Sequence, residues 1–489
     1  MKVLLINPPF QRLKKISSRY FPLGLGYLAG VAHNLGFETF IYNAELPDEN
    51  EETYDENVDN LLKNHFLLSE ALNNLQHPVW LEVRNVLAIY KPDIIGISVM
   101  TAKLSSSIVI SKICKELLPN TKIVWGGPHP TILPEKSLKF DSVDFLVRGE
   151  GEETFKNFLA AIKNSSSPNQ IDGISYKNGM QVINNKLTPL INDLDHLALP
   201  ERNLSVYPER YNGSEMGSII TSRGCPFHCG FCGAKNMWTK KVRARSNKSV
   251  INEILYLKEK YKLNNFYFWD DSFTVNRNRT ISLCKELINS KLNIKWSCST
   301  RVNIIDDELL KWMKKAGCVN IDIGIESGSD KMLKEIGKNI TVNQIENALH
   351  MIRKNKINVN AYFMIGFPTE TSENIEQTYN FLQNKKIGKV LFSIFTPYPG
   401  TELFEQADKL GLIPKNIDWS NFSHQSPENH FMKYVKKEEF NDWVIKFNNI
   451  TKKHNSNLST LWNVYKNRIF VFLANPFRYS KKIVNILKS

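Results

Sequence analysis

Arg223-Gly224-Cys225-Pro226-Phe227-His228-Cys229-Gly230-Phe231-Cys232 sets three cysteines at the spacing C-x3-C-x2-C, directly after an apolar run over residues 217–221 that reads as a strand. Thiolates are the usual ligands of iron–sulfur clusters, and four of them normally complete a [4Fe-4S] cube. Three thiolates in one loop leave the fourth iron open to another ligand. Unconnected free cysteines seldom crowd a loop this tightly. A structural zinc site wants a fourth Cys or His. His228 lies inside the loop, but a zinc ribbon also needs a second cysteine pair, and the sequence has none. Cys225, Cys229 and Cys232 are therefore the candidate metal ligands and the centre of the chemistry.

Downstream of the loop, apolar runs alternate with amphipathic stretches. Strands are expected over residues 217–221, 265–269, 295–299, 320–325, 358–365 and 390–395, and helices over 250–261, 279–290, 307–316, 342–354 and 372–383. Asp306 before the third helix and Gly317 after it are good cap and stop signals. Repeated strand–helix units predict a parallel barrel with its site at the carboxyl ends of the strands. Polar residues gather at those ends: Asp270-Asp271, Ser299-Thr300-Arg301, Glu326-Ser327-Gly328, Gly366-Phe367-Pro368 and Pro397-Tyr398-Pro399-Gly400. Any one such carboxylate is as readily a helix cap or a surface ion pair; five polar strand ends in succession are not coincidence.

Upstream, buried strands are expected over 3–6, 39–42, 94–98, 123–125 and 145–147, with helices between them over 23–35, 80–90, 105–118 and 152–162. This alternation predicts an open parallel sheet covered on both faces. Ligands of such sheets sit beyond the carboxyl ends of the strands, where the chain has Asn7-Pro8-Pro9, Ser98-Val99-Met100-Thr101, Gly126-Gly127-Pro128-His129 and Arg148-Gly149-Glu150. Paired glycines let backbone approach a bulky ligand closely. Singly, each is ordinary loop chemistry.

The cysteine spacing resembles the signature of the radical S-adenosylmethionine (radical SAM) superfamily, and the upstream segments "PDIIGIS", "GGPHPT" and "GEGEETF" are similar, in order and spacing, to those of its cobalamin-binding subfamily. The resemblance covers nearly the whole chain. It implies an α/β fold: a Rossmann- or flavodoxin-like cobalamin domain (1–163), a strap (164–212), a partial (β/α)6 barrel (213–400) and a helical C-terminal region (401–489). It implies three cofactors, a [4Fe-4S] cluster, S-adenosyl-L-methionine and cobalamin. Asp270 and Asp271 stand where the family holds SAM's ammonium group, Arg301 where its carboxylate would be met, Glu326 facing the SAM pocket and Gly366 at the adenine. Pro8, Ser98, Met100, Thr101, Gly126, Gly127, His129, Gly149 and Glu150 would line the cobalamin. The D-x-H-x-x-G motif that supplies a histidine to cobalt in methionine-synthase-like domains is absent, which implies cobalamin without a histidine lower ligand. His129 lacks that context. The activity implied is reductive cleavage of SAM to a 5′-deoxyadenosyl radical, hydrogen abstraction, and methyl transfer to an unactivated carbon of a small-molecule or lipid substrate, with electrons from a flavodoxin or ferredoxin. Cyclisation or oxidation without methyl transfer uses the same cofactors and stays open. A tRNA methylthiotransferase would carry three further cluster cysteines in its first domain, and Cys114 is the sole cysteine before the loop. A structural or sensing cluster would leave the polar strand ends unexplained.

Composition agrees. With 489 residues, 42% hydrophobic, the chain is long enough for several packed domains. Seven cysteines, an odd number with one tight cluster, point to a reducing compartment rather than a disulfide framework; with no apolar run of signal or transmembrane type, a cytoplasmic monomer is expected. The net charge of +14 reads as lysine-rich helix faces, and no nucleic-acid module is present. The basic-aromatic stretch 462–489 is the segment a membrane surface would meet. Asn178-Gly179 signals a hairpin inside the strap, and residues 47–76 form an insertion without an assigned role.

Overall fold

The computed structural model describes residues 1–489 except 19, 49–50, 54–60, 212, 425, 427 and 457–489. The first domain is a seven-stranded sheet of order β2-β1-β3-β4-β5-β6-β7. Strands β1 (Lys2–Asn7), β2 (Glu38–Asn43), β3 (Ile94–Ser98), β4 (Lys122–Gly126) and β5 (Phe145–Val147) run parallel. The order 2-1-3-4-5 is that of the flavodoxin-like doubly wound sheet. Its strands read as continuous apolar runs because both faces are covered. Leu4, Ile6, Ile95, Ile97 and Trp125 pack against the helices Pro78–Tyr90 and Leu104–Leu117, whereas Val3, Leu5, Ile94 and Val124 face Leu23–Asn34 and Gly151–Lys163. The hairpin expected at Asn178-Gly179 forms, as β6 (Ile174–Asn178) and β7 (Gln181–Asn184), and extends this sheet antiparallel rather than standing apart in a strap. In the insertion, residues Leu61–Asn73 are helical.

The second unit is a six-stranded, all-parallel sheet of order β15-β14-β13-β12-β11-β8. Its members are β8 (Ser218–Ile219), β11 (Asn265–Phe268), β12 (Lys295–Thr300), β13 (Cys318–Glu326), β14 (Asn358–Ile365) and β15 (Lys389–Ile394). A two-stranded ribbon, β9 (Ser222–Arg223) with β10 (Arg243–Ala244), brackets the cysteine loop. Each strand is followed by an outer helix, and the caps foreseen are in place: Asp306 Oδ1 accepts the Leu309 N–H at 2.9 Å, and Gly317 has φ 99°. The first outer helix starts at Asn247, ahead of the apolar periodicity, because Ser246 Oγ caps it by accepting the Ser249 N–H at 3.1 Å. Side chains alternate along every strand. Ile321, Ile323 and Ile325 face the helices, and Asn320, Asp322 and Gly324 face the concave side.

In the C-terminal region lie the helices Glu402–Lys409 and Lys437–Ser456, and the described residues between them include a 3-10 turn, Trp419–Asn421. The second helix covers the β15 edge. Phe447 stacks on Phe392 with centroids 5.2 Å apart, and Asn455 binds both the N–H and the carbonyl of Val390 at 2.9 Å. The connector is anchored by Arg202, which donates to Glu253 Oε1 at 2.9 Å while Arg245 holds Oε2 at 2.5 Å. The stretch 462–489 lies outside the described residues. Among the described residues no helix is long and apolar enough to cross a membrane.

Candidate active site

The three loop cysteines are half-buried, whereas Cys114, Cys284, Cys298 and Cys318 are buried in the cores. Burial drives the Cys114 thiol up to about 12, leaving it inert. Burial also raises Cys225, and Cys232 to about 11, although the N–H groups of Phe227 and Ala234 work the other way. Cys229 accepts a hydrogen bond from Arg301 Nη1 at 3.0 Å. That contact sets a guanidinium directly beside one of the three sulfurs. No three His, Cys, Asp or Glu side chains among the described residues converge on a single ion. A cube asks for something different, one thiolate on each of three irons, and three half-exposed thiols in one loop beside a cation suit it.

The residues expected around SAM have the following places. Asp270 is buried and fully engaged: Oδ1 accepts the Thr221 N–H at 2.6 Å, and Oδ2 accepts the hydroxyls of Thr221 at 2.5 Å and Ser222 at 2.6 Å. It pins the strand that leads into the cysteine loop. Asp271 has an exposed surface overall, but its carboxyl is tucked in beside the Gly224 N–H it accepts, and desolvation there holds it above the usual range. Of the pair, Asp271 is the carboxylate free for an ammonium group. Arg301, besides touching Cys229, donates to the Lys338 carbonyl and lies 4.0 Å over the Phe227 ring. Glu326 sits at a register shift in β13 with φ 68°, a left-handed conformation rare for a non-glycine residue, and its carboxylate is 2.8 Å from Lys338 Nζ, both buried. Strain of this kind persists where surrounding structure enforces it, characteristically at functional sites. Gly366 has φ 97°, and a Cβ there would come within 2.9 Å of the Phe440 ring. Its glycine is thus explained by Phe440 as well as by any ligand.

Around the first sheet, Pro8 is buried, Ser98 half-buried and Met100 exposed at the strand ends. Gly127 has φ 102°, and a Cβ would meet Val99 O at 3.1 Å and Val99 N at 3.3 Å; at Gly126 the nearest atom is Val147 O at 3.5 Å. Gly149 donates its N–H to Thr131 Oγ1 at 3.0 Å. His129 is turned inward: Nδ1 is 3.2 Å from Thr101 Oγ1, the ring meets Trp419 edge-on, and burial lowers it to about 4. The ring is thus engaged by Thr101 and Trp419.

Glu150 has a partner that sequence reading did not supply. Its carboxylate is 3.0 Å from Arg223 and 2.7 Å from Arg243, and it accepts the Ile191 N–H at 2.8 Å; Glu152 takes the other Arg223 nitrogen at 2.5 Å. All four side chains are buried. Burial alone would raise the Glu150 carboxyl, but the bonds from Arg243 and Ile191 hold it below its usual range. Arg223 lies between the rings of Tyr27 and Trp238, 5.2 Å from each. This cluster fastens the end of β5 to the residue two places before Cys225. The signal was present, an arginine beside the loop and the acidic "GEGEE", but their pairing spans 73 residues.

A mixed sheet joined through this cluster to a half-barrel with three thiols at its mouth defines a radical SAM enzyme with an upstream cofactor domain. Residues 219–382 match the family model of the radical SAM superfamily and residues 71–159 that of the B12 binding domain. The chain is 32% identical over 431 residues to an uncharacterized methyltransferase of Pyrococcus horikoshii, covering 87% of each. It is 28% identical to the anaerobic magnesium-protoporphyrin IX monomethyl ester cyclase of Rubrivivax gelatinosus, over 87% of this chain and 73% of that one. Among solved structures it resembles the radical SAM methyltransferase TsrM of Kitasatospora setae, with TM-score 0.66 and 16% identity over 85% of this chain and 77% of that one. The chain belongs to the B12-binding radical SAM methylase family, whose cofactors are a [4Fe-4S] cluster, SAM and cobalamin.

Proposed function

We propose that the protein transfers a methyl group to an unactivated carbon of a small-molecule substrate. The observation that carries this is the buried Glu150–Glu152–Arg223–Arg243 cluster, which ties the segment after β5 of the upstream domain to the residue two places before Cys225. Cys225, Cys229 and Cys232 hold the cluster. Asp271 and Arg301 meet the charged ends of SAM, Glu326 with Lys338 borders the pocket, and Gly126, Gly127, Gly149, Ser98 and Met100 support cobalamin. When bound, these groups supply a carbon-centred oxidant and a methyl donor; the chain orients them and keeps water away. A flavodoxin or ferredoxin supplies electrons. The 28% identical cyclase favours a second reading, ring closure without methyl transfer. Mass spectrometry of the product decides: a gain of one methylene, labelled from methyl-deuterated SAM, is methylation, and loss of hydrogen without label is cyclisation or oxidation.

A further inference from the structure

The interiors of parallel barrels are normally filled by branched apolar side chains. The concave face here is polar. Asp322, 7% exposed, sits at its centre and accepts four hydrogen bonds: from Tyr267 at 2.7 Å and Tyr362 at 3.3 Å on one oxygen, and from Asn320 at 2.6 Å and Asn360 at 2.8 Å on the other. No cation pairs with it among the described residues. A carboxylate can only accept, so both tyrosine hydroxyls and one N–H of each asparagine amide are committed to Asp322. The Tyr362 phenol oxygen is left with acceptor capacity only, while each asparagine amide keeps its oxygen and a second N–H. The Trp269 indole likewise spends its N–H on Ser218 Oγ at 2.9 Å, yet 53% of the residue is exposed, as is 37% of Tyr362. A buried carboxylate with no cation partner among the described residues and open aromatic faces beside it ask for one kind of guest. Isolated buried charges are expensive, and aromatic faces attract cations.

We propose that the barrel lumen binds a protonated amine of the substrate, seated between Asp322 and the faces of Trp269 and Tyr362. The proposal names the substrate class for the site of the preceding section and rests on that reading, but its test needs no turnover. Full-length protein carrying its cofactors is labelled with 5-fluorotryptophan, and the Trp269 fluorine resonance is assigned by its loss in Trp269→Phe. Phenethylammonium is titrated beside its isosteres phenethyl alcohol and 3-phenylpropionate. The expected result is a saturable shift of the Trp269 resonance with the ammonium alone, weakened at least tenfold in Asp322→Asn and less in Tyr362→Phe. Equal response to the alcohol or the carboxylate, no response to the ammonium, or parental affinity in Asp322→Asn overturns the proposal. If Asp322→Asn fails to fold, as the other tryptophan resonances report, parental affinity in Tyr362→Phe with an equal response to the alcohol overturns it. A Trp269 resonance moved by SAM and by no amine assigns the lumen to the sulfonium and overturns it too. Formation of 5′-deoxyadenosine by the same parent sample reports the general reading separately: its presence without amine binding sinks only this inference, and its absence sinks the reading beneath it.

Discussion

Glu150→Gln removes one negative charge from between two buried guanidiniums while keeping shape and an oxygen for the Ile191 N–H. With an effective dielectric of about 20, unit charges about 3 Å apart attract by roughly 5 kcal/mol. Part of that is cancelled because the arginines remain desolvated in either case. Removing one partner of a buried pair costs about 3–5 kcal/mol, a large share of the roughly 5–15 kcal/mol that holds a domain folded. Glu152 still neutralises Arg223, so the low end, about 3 kcal/mol, is expected. The comparison is Glu153→Gln, whose partner Lys156 is 3.3 Å away with both side chains about half exposed; it should lose at most about 0.5 kcal/mol. Denaturant unfolding of the cofactor-loaded protein gives both numbers. Because the cluster joins two units, Glu150→Gln should also release iron at denaturant concentrations where Glu153→Gln retains it. Equal midpoints and equal iron retention in the two variants would refute the reasoning.

Replacing Cys225, Cys229 or Cys232 by Ala should abolish SAM cleavage, and the triple variant should hold no cluster iron, against about four irons per chain in the parent; Cys284→Ala, in the core behind the barrel, should keep its iron. Electron paramagnetic resonance of the cob(II)alamin form should show no nitrogen superhyperfine splitting, and His129→Ala should leave the spectrum unchanged; a splitting that His129→Ala removes would put that histidine on cobalt. Glu370 is fully buried, Oε2 takes the N–H groups of Gly366 and Phe367, Oε1 has no partner, and burial pushes the carboxyl from 4.5 to about 8. A raised folded value means stability is greatest below 4.5 and declines until the pH passes about 8. The stability of Glu370→Gln relative to the parent should therefore climb between those pH values, and a flat difference would contradict it.

The architecture was legible because the signals were local. All six barrel strands, the Asp306 cap and the Asn178-Gly179 turn rest on neighbours in sequence, and the cysteine loop is one decapeptide. The arrangement of the site was legible only in part. Asp270 and Asp271 look alike in sequence, yet one is consumed by Thr221 and Ser222 and the other is open. Gly127 reads as space for a ligand, although Val99 backbone already occupies it. Side chain at Gly127 would therefore disturb the loop with or without cobalamin, so Gly127→Val tests packing before it tests binding. The lumen was announced by Asn320-x-Asp322 and Asn358-x-Asn360-x-Tyr362, polar residues at period two on strands whose other face is apolar, a pattern that marks the inside of a wall only once the wall is known to curve.

Asn455 is one side chain doing the work of a neighbouring strand. Its amide offers Val390 the acceptor and the donor that another β-ladder would have offered, and so the last strand of the half-barrel ends without inviting an addition. An open sheet of this kind faces a choice between closing into a ring and recruiting a foreign strand; here a helix pre-empts both. The barrel thereby stays ajar with its β15 edge covered, and its width is released from the geometry of ring closure. Residues 402–456 thus act as a separate side wall to the sheet, with Asn455 answering for the backbone at position 390.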